Sequence, residues 1–435
     1  MASPAWNVVR LVVLVVSCMS SPGAAIADGI SIWSIVDRDG PSAAAAAPVA
    51  DGLRDYLAMI NARDGGLNGV ALVHTECDAG FSGAGSAACY DKAKAAAIAI
   101  LPLSSAIAID VLPKAGRDPV PLLAPGIGAA MVADGRYFPW AFAMPATDLD
   151  GAQAILQAIS DQAGALQGKT IALLRLDGPE NDDVAALLQM QSARLGFALL
   201  DLPVAAKAVQ AQSAQWEEIG RSRPDYVVIA GLGAMIETAL AEAHNANFPM
   251  GRLVGTSWST TGAELALLGD AAKGYRVLSW NLPGADPQIL RDIAEARAGA
   301  DKSGRAAAER AGLYYQRGVV VGAILVEAIR LAQSHFNRRD IDGTQLRWTL
   351  EHLNFDEATL AALGLTGMMA PFSTSCSDHA GHAGAWLLEW NGRAFVRKAG
   401  PLIADRAITA PMATEQASRY AEANKPWITN GGCRP

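Results

Sequence analysis

Charge is scarce in this chain, and positive charge scarcer still. Only 18% of the 435 residues are Asp, Glu, Lys or Arg, and the acids outnumber Lys plus Arg by 43 to 35, for a formal net charge of −8 at pH 7. No basic run occurs, which argues against nucleic acid or an anionic membrane surface as a partner. No uninterrupted apolar stretch of about 18 residues is present to span a bilayer. Aromatic residues make up only 6% while half of the chain is hydrophobic. Alanine and glycine dominate the composition, which suits helices packed closely on buried parallel sheets.

Catalytic and nucleotide-binding motifs are also missing. There is no GxxxxGK[ST] loop. Gly231-Leu232-Gly233 lies between a strand pattern and a helix pattern, but Ile236 stands where a dinucleotide loop needs its third glycine, so a tight turn is the better reading. Gly126-Ile127-Gly128 fails the same test. Gly255-Thr256-Ser257-Trp258-Ser259 has serine where a nucleophile elbow ends in glycine. Asp378, His379 and His382 form the one histidine cluster. Without a second half it reads as a structural loop rather than a zinc site, so neither metal nor cofactor is expected.

What is present begins with an export leader. Arg10 precedes the short apolar stretch Leu11 to Val16, and Ala25-Ile26-Ala27 is an A-x-A cleavage site. A signal peptide over 1–27 and a mature chain starting at Asp28 are expected, hence a periplasmic protein. Val16-Ser17-Cys18 loosely resembles a lipoprotein site, and lipid anchoring at Cys18 is the less favoured outcome. Four cysteines remain, Cys77, Cys89, Cys376 and Cys433, which allow three connectivities. The local pairs Cys77–Cys89 and Cys376–Cys433 are the economical choice in an oxidising compartment, and the second would tie the C-terminal tail back onto the body.

Strand and helix patterns alternate through the mature chain, predicting an α/β fold with parallel sheets. Strands are expected over Ile30 to Val36, Val70 to Val73, Ala97 to Leu101, Val120 to Ala124, Thr170 to Leu174, Tyr226 to Ala230 and Arg252 to Gly255. A helix over Ala50 to Asn61 presents Leu53, Tyr56, Leu57 and Ile60 on one face. A longer one over Leu313 to Gln333 presents Val320, Ile324, Leu325, Ala328 and Leu331. Asn391-Gly392 between Trp386 to Trp390 and Ala394 to Lys398 signals a hairpin. Two such α/β lobes facing each other would form a cleft lined by the carboxyl ends of their strands.

Nine segments, in order over most of the mature chain, carry a family resemblance. They are Trp33-Ser34, ADGLRDYLAMINARDGGLNGV at 50–70, TECDAGFSGAGSAACY at 75–90, ADGRYFPWAFAMPAT at 133–147, RPDYVVIAGLGAM at 223–235, AAKGYRVLSW at 271–280, YYQRGVVVGAILVEAIRLAQ at 314–333, LRWTLEHLN at 346–354 and SCSDHAGH at 375–382. The chain resembles the substrate-binding proteins of branched-chain-amino-acid-type ABC transporters, the type I periplasmic binding proteins. Within them it resembles most the subgroup associated with aromatic and other organic acids.

That resemblance implies two Rossmann-like lobes joined by three crossover hinge strands, near Ala143–Thr147, Leu278–Leu282 and Gly364–Pro371. Lobe 1 would take 28–146 plus 281–365, lobe 2 147–280 plus 366–410, with a tail over 411–435. It implies no catalysis and no cofactor, a monomer that closes on a small-molecule solute, and delivery to the membrane subunits of an ABC permease. Carried onto this sequence, the solute contacts would be Ser34, Arg38, Ser104, Ser105, Gly128 and Ala129 from the first lobe, with Glu180, Leu232 and Trp258 from the second. Arg38 would grip a carboxylate bidentately.

Several positions depart from the family pattern. Gly126-Ile127-Gly128-Ala129-Ala130 stands for glycine-tyrosine-glycine-arginine-threonine, and Ser104-Ser105-Ala106 for a serine-threonine-glycine turn. Glu180-Asn181 replaces tyrosine-glycine, and Ser257-Trp258 a double tryptophan. A changed set of polar partners implies a changed solute, here a larger, less polar or aromatic organic acid. The rival readings are a ligand sensor or regulatory partner on the same fold, serving a membrane kinase or a neighbouring oxidoreductase, and an exported α/β enzyme.

Overall fold

The structure, a computed structural model, describes residues 29–40, 42–124, 129–259, 265, 268–282, 287–297 and 312–433. The expected signal peptide and the Cys18 site lie outside them. In chain order the elements are β1 (Ile30–Val36), α1 (Ala43–Asp64), β2 (Leu72–Asp78), α2 (Gly83–Ala93), β3 (Ala99–Pro102), α3 (Ser105–Ala115), β4 (Leu122–Leu123) and β5 (Ala141–Phe142). Then come α4 (Asp148–Ala163), β6 (Thr170–Leu176), α5 (Asp182–Leu195), β7 (Ala198–Val204), α6 (Ser213–Ser222), β8 (Tyr226–Ala230), α7 (Ala234–Asn245), β9 (Leu253–Gly255) and β10 (Arg276–Ser279). The chain ends with α8 (Gln288–Ala296), α9 (Leu313–His335), α10 (Gly343–Leu350), β11 (Asn354–Phe355), α11 (Glu357–Ala362), β12 (Phe372–Ser373), β13 (Ala385–Trp390), β14 (Phe395–Leu402) and α12 (Arg406–Ala423).

Two parallel-rich sheets result, as the alternating pattern predicts. The first has the order β2-β1-β3-β4-β5 and is wholly parallel. The second runs β14-β13-β10-β9-β8-β6-β7, parallel except where β13 meets β10 and β14. Strand order reverses between β1 and β3 in one sheet and between β6 and β8 in the other. Each sheet thus has a crevice at the carboxyl ends of that strand pair, where loops diverge to opposite faces. The chain passes between the sheets three times, after β5, after β10 and before β13. Thr147 begins α4 immediately after the first passage with a capping box: its hydroxyl accepts from the Asp150 N–H while Asp150 accepts from the Thr147 N–H.

Differences from the sequence pattern have local causes. The run Ala43–Ala47 is the first turn of α1, since alanine is the best helix former. β2 begins at Leu72 rather than Val70, because Leu67 and Val70 pair with each other in the preceding turn. Leu331 lies 37% exposed on α9, whose buried stripe runs instead through Ala328, Ile329 and Ala332. Both expected disulfides are present, Cys77–Cys89 joining β2 to α2 and Cys376–Cys433 holding the tail. Among the described residues α9 is the one helix long and apolar enough to cross a membrane. It is buried against α1 instead.

The C-terminal helix bridges both bodies. Ala413 packs in the core beside α4 and Ala417 in the core beneath the first sheet. Thr414 donates to Asp134 at 2.8 Å and Gln416 to Asp183 at 2.7 Å.

The α1–α9 contact rests on paired glycines. A Cβ at Gly52 would overlap the Tyr315 carbonyl oxygen, and one at Gly318 the Val49 carbonyl oxygen. Gly318→Val should therefore destabilise by about 3 kcal/mol. Gly220→Ala, on the exposed face of α6 with open space around it, should stabilise by about 0.5–1 kcal/mol. Urea midpoints compare the two, and a Gly318→Val midpoint equal to wild type would refute the close-packing account.

Candidate functional site

The loops after β1, β3 and β4 share the carboxyl edge of the first sheet. Those after β6, β8 and β9 share the corresponding edge of the second. Arg38, Ser104, Ser105 and Ala129 therefore lie on loops of one edge, and Glu180, Leu232 and Trp258 on loops of the other. What each side chain does there differs from the expectation in several cases.

On the first edge the organiser is Asp37, a buried carboxylate directly after β1 that sequence reading did not single out. It accepts from the Phe81 N–H at 3.0 Å, from Ser42 Oγ at 2.9 Å and from Ser104 Oγ at 3.2 Å. Ser104 also caps α3, its Oγ accepting from the Ile107 N–H at 3.2 Å. Its one hydroxyl hydrogen is committed to Asp37, so Ser104 has none left for the solute carboxylate expected there. Ser105, the first residue of α3, is half-buried beside it.

Arg38 does make a bidentate carboxylate grip, but internally. Nε and Nη2 donate to Glu76 at 2.7 and 2.6 Å, and Nη2 also to Asp51 at 3.1 Å. The Glu76 hydrogen bond, against the opposing effect of burial, raises the Arg38 pKa and locks its charge in place. Ser34 is likewise turned inward: it lies in mid-strand, fully buried, with Oγ 2.9 Å from His74 Nε2. Burial lowers the His74 pKa and favours the neutral ring. Gly128 lies outside the described residues. Ala129 is half-buried, and the next residue, Ala130, donates its N–H to Asp183 at 2.6 Å, linking the first body to the second.

On the second edge Glu180 sits half-buried after β6. Burial raises its pKa, a backbone N–H opposes that, and Asp182 and Asp177 add to it. Leu232 follows β8 between two glycines. The turn carrying Trp258 is locked to β8 through Ser259, whose Oγ lies 3.0 Å from both the Ile229 and Gly231 carbonyls, and through Tyr275 Oη, which donates to the Ser259 carbonyl at 3.0 Å. A Cβ at Gly255 would run into that tyrosine hydroxyl and the Ser259 side chain, so the turn needs glycine there. Trp258 reaches across the seam and packs on Ala108 of α3 and Ala124 after β4.

The structure adds residues that sequence reading missed, at the start of α9. Tyr314 Oη donates to the Trp258 carbonyl at 2.6 Å, and the two rings stack at 5.7 Å. Arg317 lies with its Cζ 4.2 Å from the Trp258 ring centroid and donates Nη2 to the Ser257 carbonyl at 3.0 Å. A signal was available: Arg317 is a charge on the buried stripe one turn before Val320 and Val321. Asp148, at the start of α4, and Asp183 are also buried here. Burial raises both carboxyls. Asp183 adds to the rise at Asp148 while Arg317 opposes it, and at Asp183 hydrogen bonds from Ala130 and Gln416 oppose it. One helical turn along α9, Val321 and Ile324 line a small apolar cavity with Leu123, Phe142 and Met144.

The histidine cluster is scaffold. His379 is stacked on Phe142 at 4.0 Å with Nδ1 2.8 Å from the Ala141 carbonyl. His382 lies between Asp150 (2.7 Å) and Asp378 (3.1 Å), and Asp378 pairs in turn with Arg406. Among the described residues no group of three His, Cys, Asp or Glu side chains could hold a metal. Backbone bonds from Ala143 to His379 and from Ala383 to Pro145 join this loop to the first inter-sheet passage.

Three comparisons bear on the whole chain. A model of the periplasmic binding protein family matches residues 29–395. No curated protein is significantly similar. Among solved structures, one described as an ABC transporter permease from the Pseudomonas fluorescens group is 30% identical, with 93% of this chain and 99% of that chain covered at a TM-score of 0.85. A Thermus thermophilus branched-chain amino acid ABC transporter protein with bound valine is 20% identical over 88% of this chain and 98% of its own, TM-score 0.74. An R. palustris solute-binding protein in complex with benzoate is 17% identical over 87% and 97%, TM-score 0.68. At those identities the last two show the fold alone, two α/β lobes of the type I receptor kind.

Burial by itself lowers the His382 pKa, but its hydrogen bonds to Asp150 and Asp378 outweigh this and raise it to about 9. The unfolded value is near 6.5. A raised folded pKa contributes stability that is complete below about pH 6.5 and lost as pH rises through about 9. Wild type should lose on the order of 2 kcal/mol between about pH 6 and pH 9.5. His382→Gln should be less stable at the lower pH and lack that loss. Identical pH slopes in denaturant melts would sink this assignment.

Proposed function

The chain belongs to the periplasmic binding protein family, and from that premise we propose that it is the periplasmic solute receptor of an ABC importer. It captures a small organic solute between its lobes and delivers it to the membrane subunits of a permease. The observation that carries the reading is the meeting of two strand-carboxyl edges, with Trp258 of one lobe packed on Ala108 and Ala124 of the other. A seam of that kind excludes water from a solute when the lobes close and admits it when they part. The division is 28–146 plus 281–365 and 147–280 plus 366–410. Cleavage of the leader after Ala27 delivers the chain to the periplasm as a monomer.

The solute is an aromatic or other organic acid, or an amino-acid-like compound. The valine and benzoate held by two receptors of this fold bracket that size. Of the residues expected to contact it, Ser105, Ala129, Glu180, Leu232 and Trp258 remain candidates. Arg38, Ser34 and Ser104 serve the scaffold. Binding and delivery need no bond chemistry, which fits a receptor rather than an enzyme.

Protein purified from its native periplasm should carry a small-molecule adduct in native mass spectrometry that is lost on denaturation. The recovered compound should rebind one to one by calorimetry and reduce the radius of gyration in solution scattering. If no periplasmic compound gives saturable binding, the receptor reading fails.

A further inference from the structure

Arg317 is 5% exposed, yet among the described residues its Nε and Nη1 have no hydrogen-bond partner. Among those residues its one polar contact is Nη2 to the Ser257 carbonyl. No carboxylate among the described residues forms an ion pair with it. A guanidinium buried with open donors is costly, and it does not escape by losing its proton. Burial lowers its pKa only to about 10, with Tyr314 and Asp148 opposing, so it is charged at neutral pH. The carboxyl nearest in electrostatic terms, Asp148, is itself pushed toward its neutral form by burial.

The geometry around the group is specific. Trp258 and Tyr314 meet the guanidinium at 4.2 and 5.5 Å from Cζ to ring centroid. Both rings pack against the guanidinium, while Nε and Nη1, shielded from solvent, keep unpaired donors among the described residues. Nη2 carries two hydrogens and gives one to Ser257, so one of the two guanidinium forks can still take a planar carboxylate through two parallel N–H donors. Apolar groups lie nearby: Ala108 and Ala124 pack under Trp258, and Val321, one turn along α9, lines the small apolar cavity.

We propose that Arg317 is the carboxylate anchor of the solute site, packed against Trp258 and Tyr314. The receptor then takes small aromatic or apolar monocarboxylates and rejects their neutral analogues. An amino acid is disfavoured, because its ammonium would lie beside the guanidinium that holds its carboxylate. This rests on the receptor reading and names the chemistry of its solute. Arg317 comes from a lobe 1 helix and contacts the Ser257-Trp258 turn of lobe 2, so a carboxylate bound to it would also favour closure.

Calorimetry on the full mature chain with benzoate, phenylacetate and hexanoate, each paired with its primary amide, and with L-phenylalanine, tests this. At least one acid should bind wild type about a hundredfold tighter than its amide. Arg317→Gln should lose about the same factor for that acid while keeping its circular dichroism spectrum, and Arg317→Lys should fall between, keeping charge without the fork. The acid–amide comparison needs no variant, so it stands even if the glutamine variant misfolds. An amide binding as well as its acid, or an acid binding Arg317→Gln within about threefold of wild type, overturns the anchor. Binding of L-phenylalanine or an amide with no acid bound also overturns it and leaves the receptor reading intact. If none of these probes binds and no periplasmic compound does, both readings fall.

Discussion

The contact between α1 and α9 is the constraint on which the rest of the seam depends. Gly52 and Gly318 let the two backbones approach until each helix touches a carbonyl of the other. That approach fixes both the axial position and the rotation of α9. Tyr315 then meets Asp55 on α1, its hydroxyl donating at 2.8 Å. Tyr314 and Arg317, on an adjoining face, are carried to the second sheet, where they meet the Trp258 turn. A residue with any side chain at position 318 would move the neighbouring arginine, so packing in the first lobe sets the electrostatics of the cleft.

Charges inside the molecule are handled in three ways, and the difference separates scaffold from site. Arg38 is neutralised in place by Glu76 and Asp51. His382 is held protonated between Asp150 and Asp378, and the same bonds tie the start of α4 to the loop before β13. Both groups have every strong partner they need, and they hold the loops at the sheet edges rigid. Arg317 is different. It is packed on aromatic rings and bonded to one carbonyl, and among the described residues its Nε and Nη1 have no partner.

The α/β alternation, the hairpin about Asn391-Gly392 and the two disulfides were legible because each depends on local pattern or on few combinations. Placing the candidates at strand ends was legible for the same reason: the residue after a buried strand in such a fold lies on the carboxyl edge. Their roles were not. Ser104 and Arg38 look like ligand donors until Asp37, Glu76 and Asp51 are seen beside them, and those partners are 13 to 67 residues away. Arg317 is hard to read from sequence, because a lone arginine in an apolar helix carries no spacing motif. Its meaning comes from Trp258, far earlier in the chain.

The sequence by itself determined the class of fold, the order of its elements, the acidic balance of the chain, and the family to which it belongs. Those follow from periodicity, composition and ordered segments, all properties of near neighbours along the chain. Only the tertiary structure decided which polar side chains are spent on the scaffold and which are left to act. That depends on distances between residues of different lobes, and a hydrogen-bond donor has no free capacity or lack of it until its partners are in place.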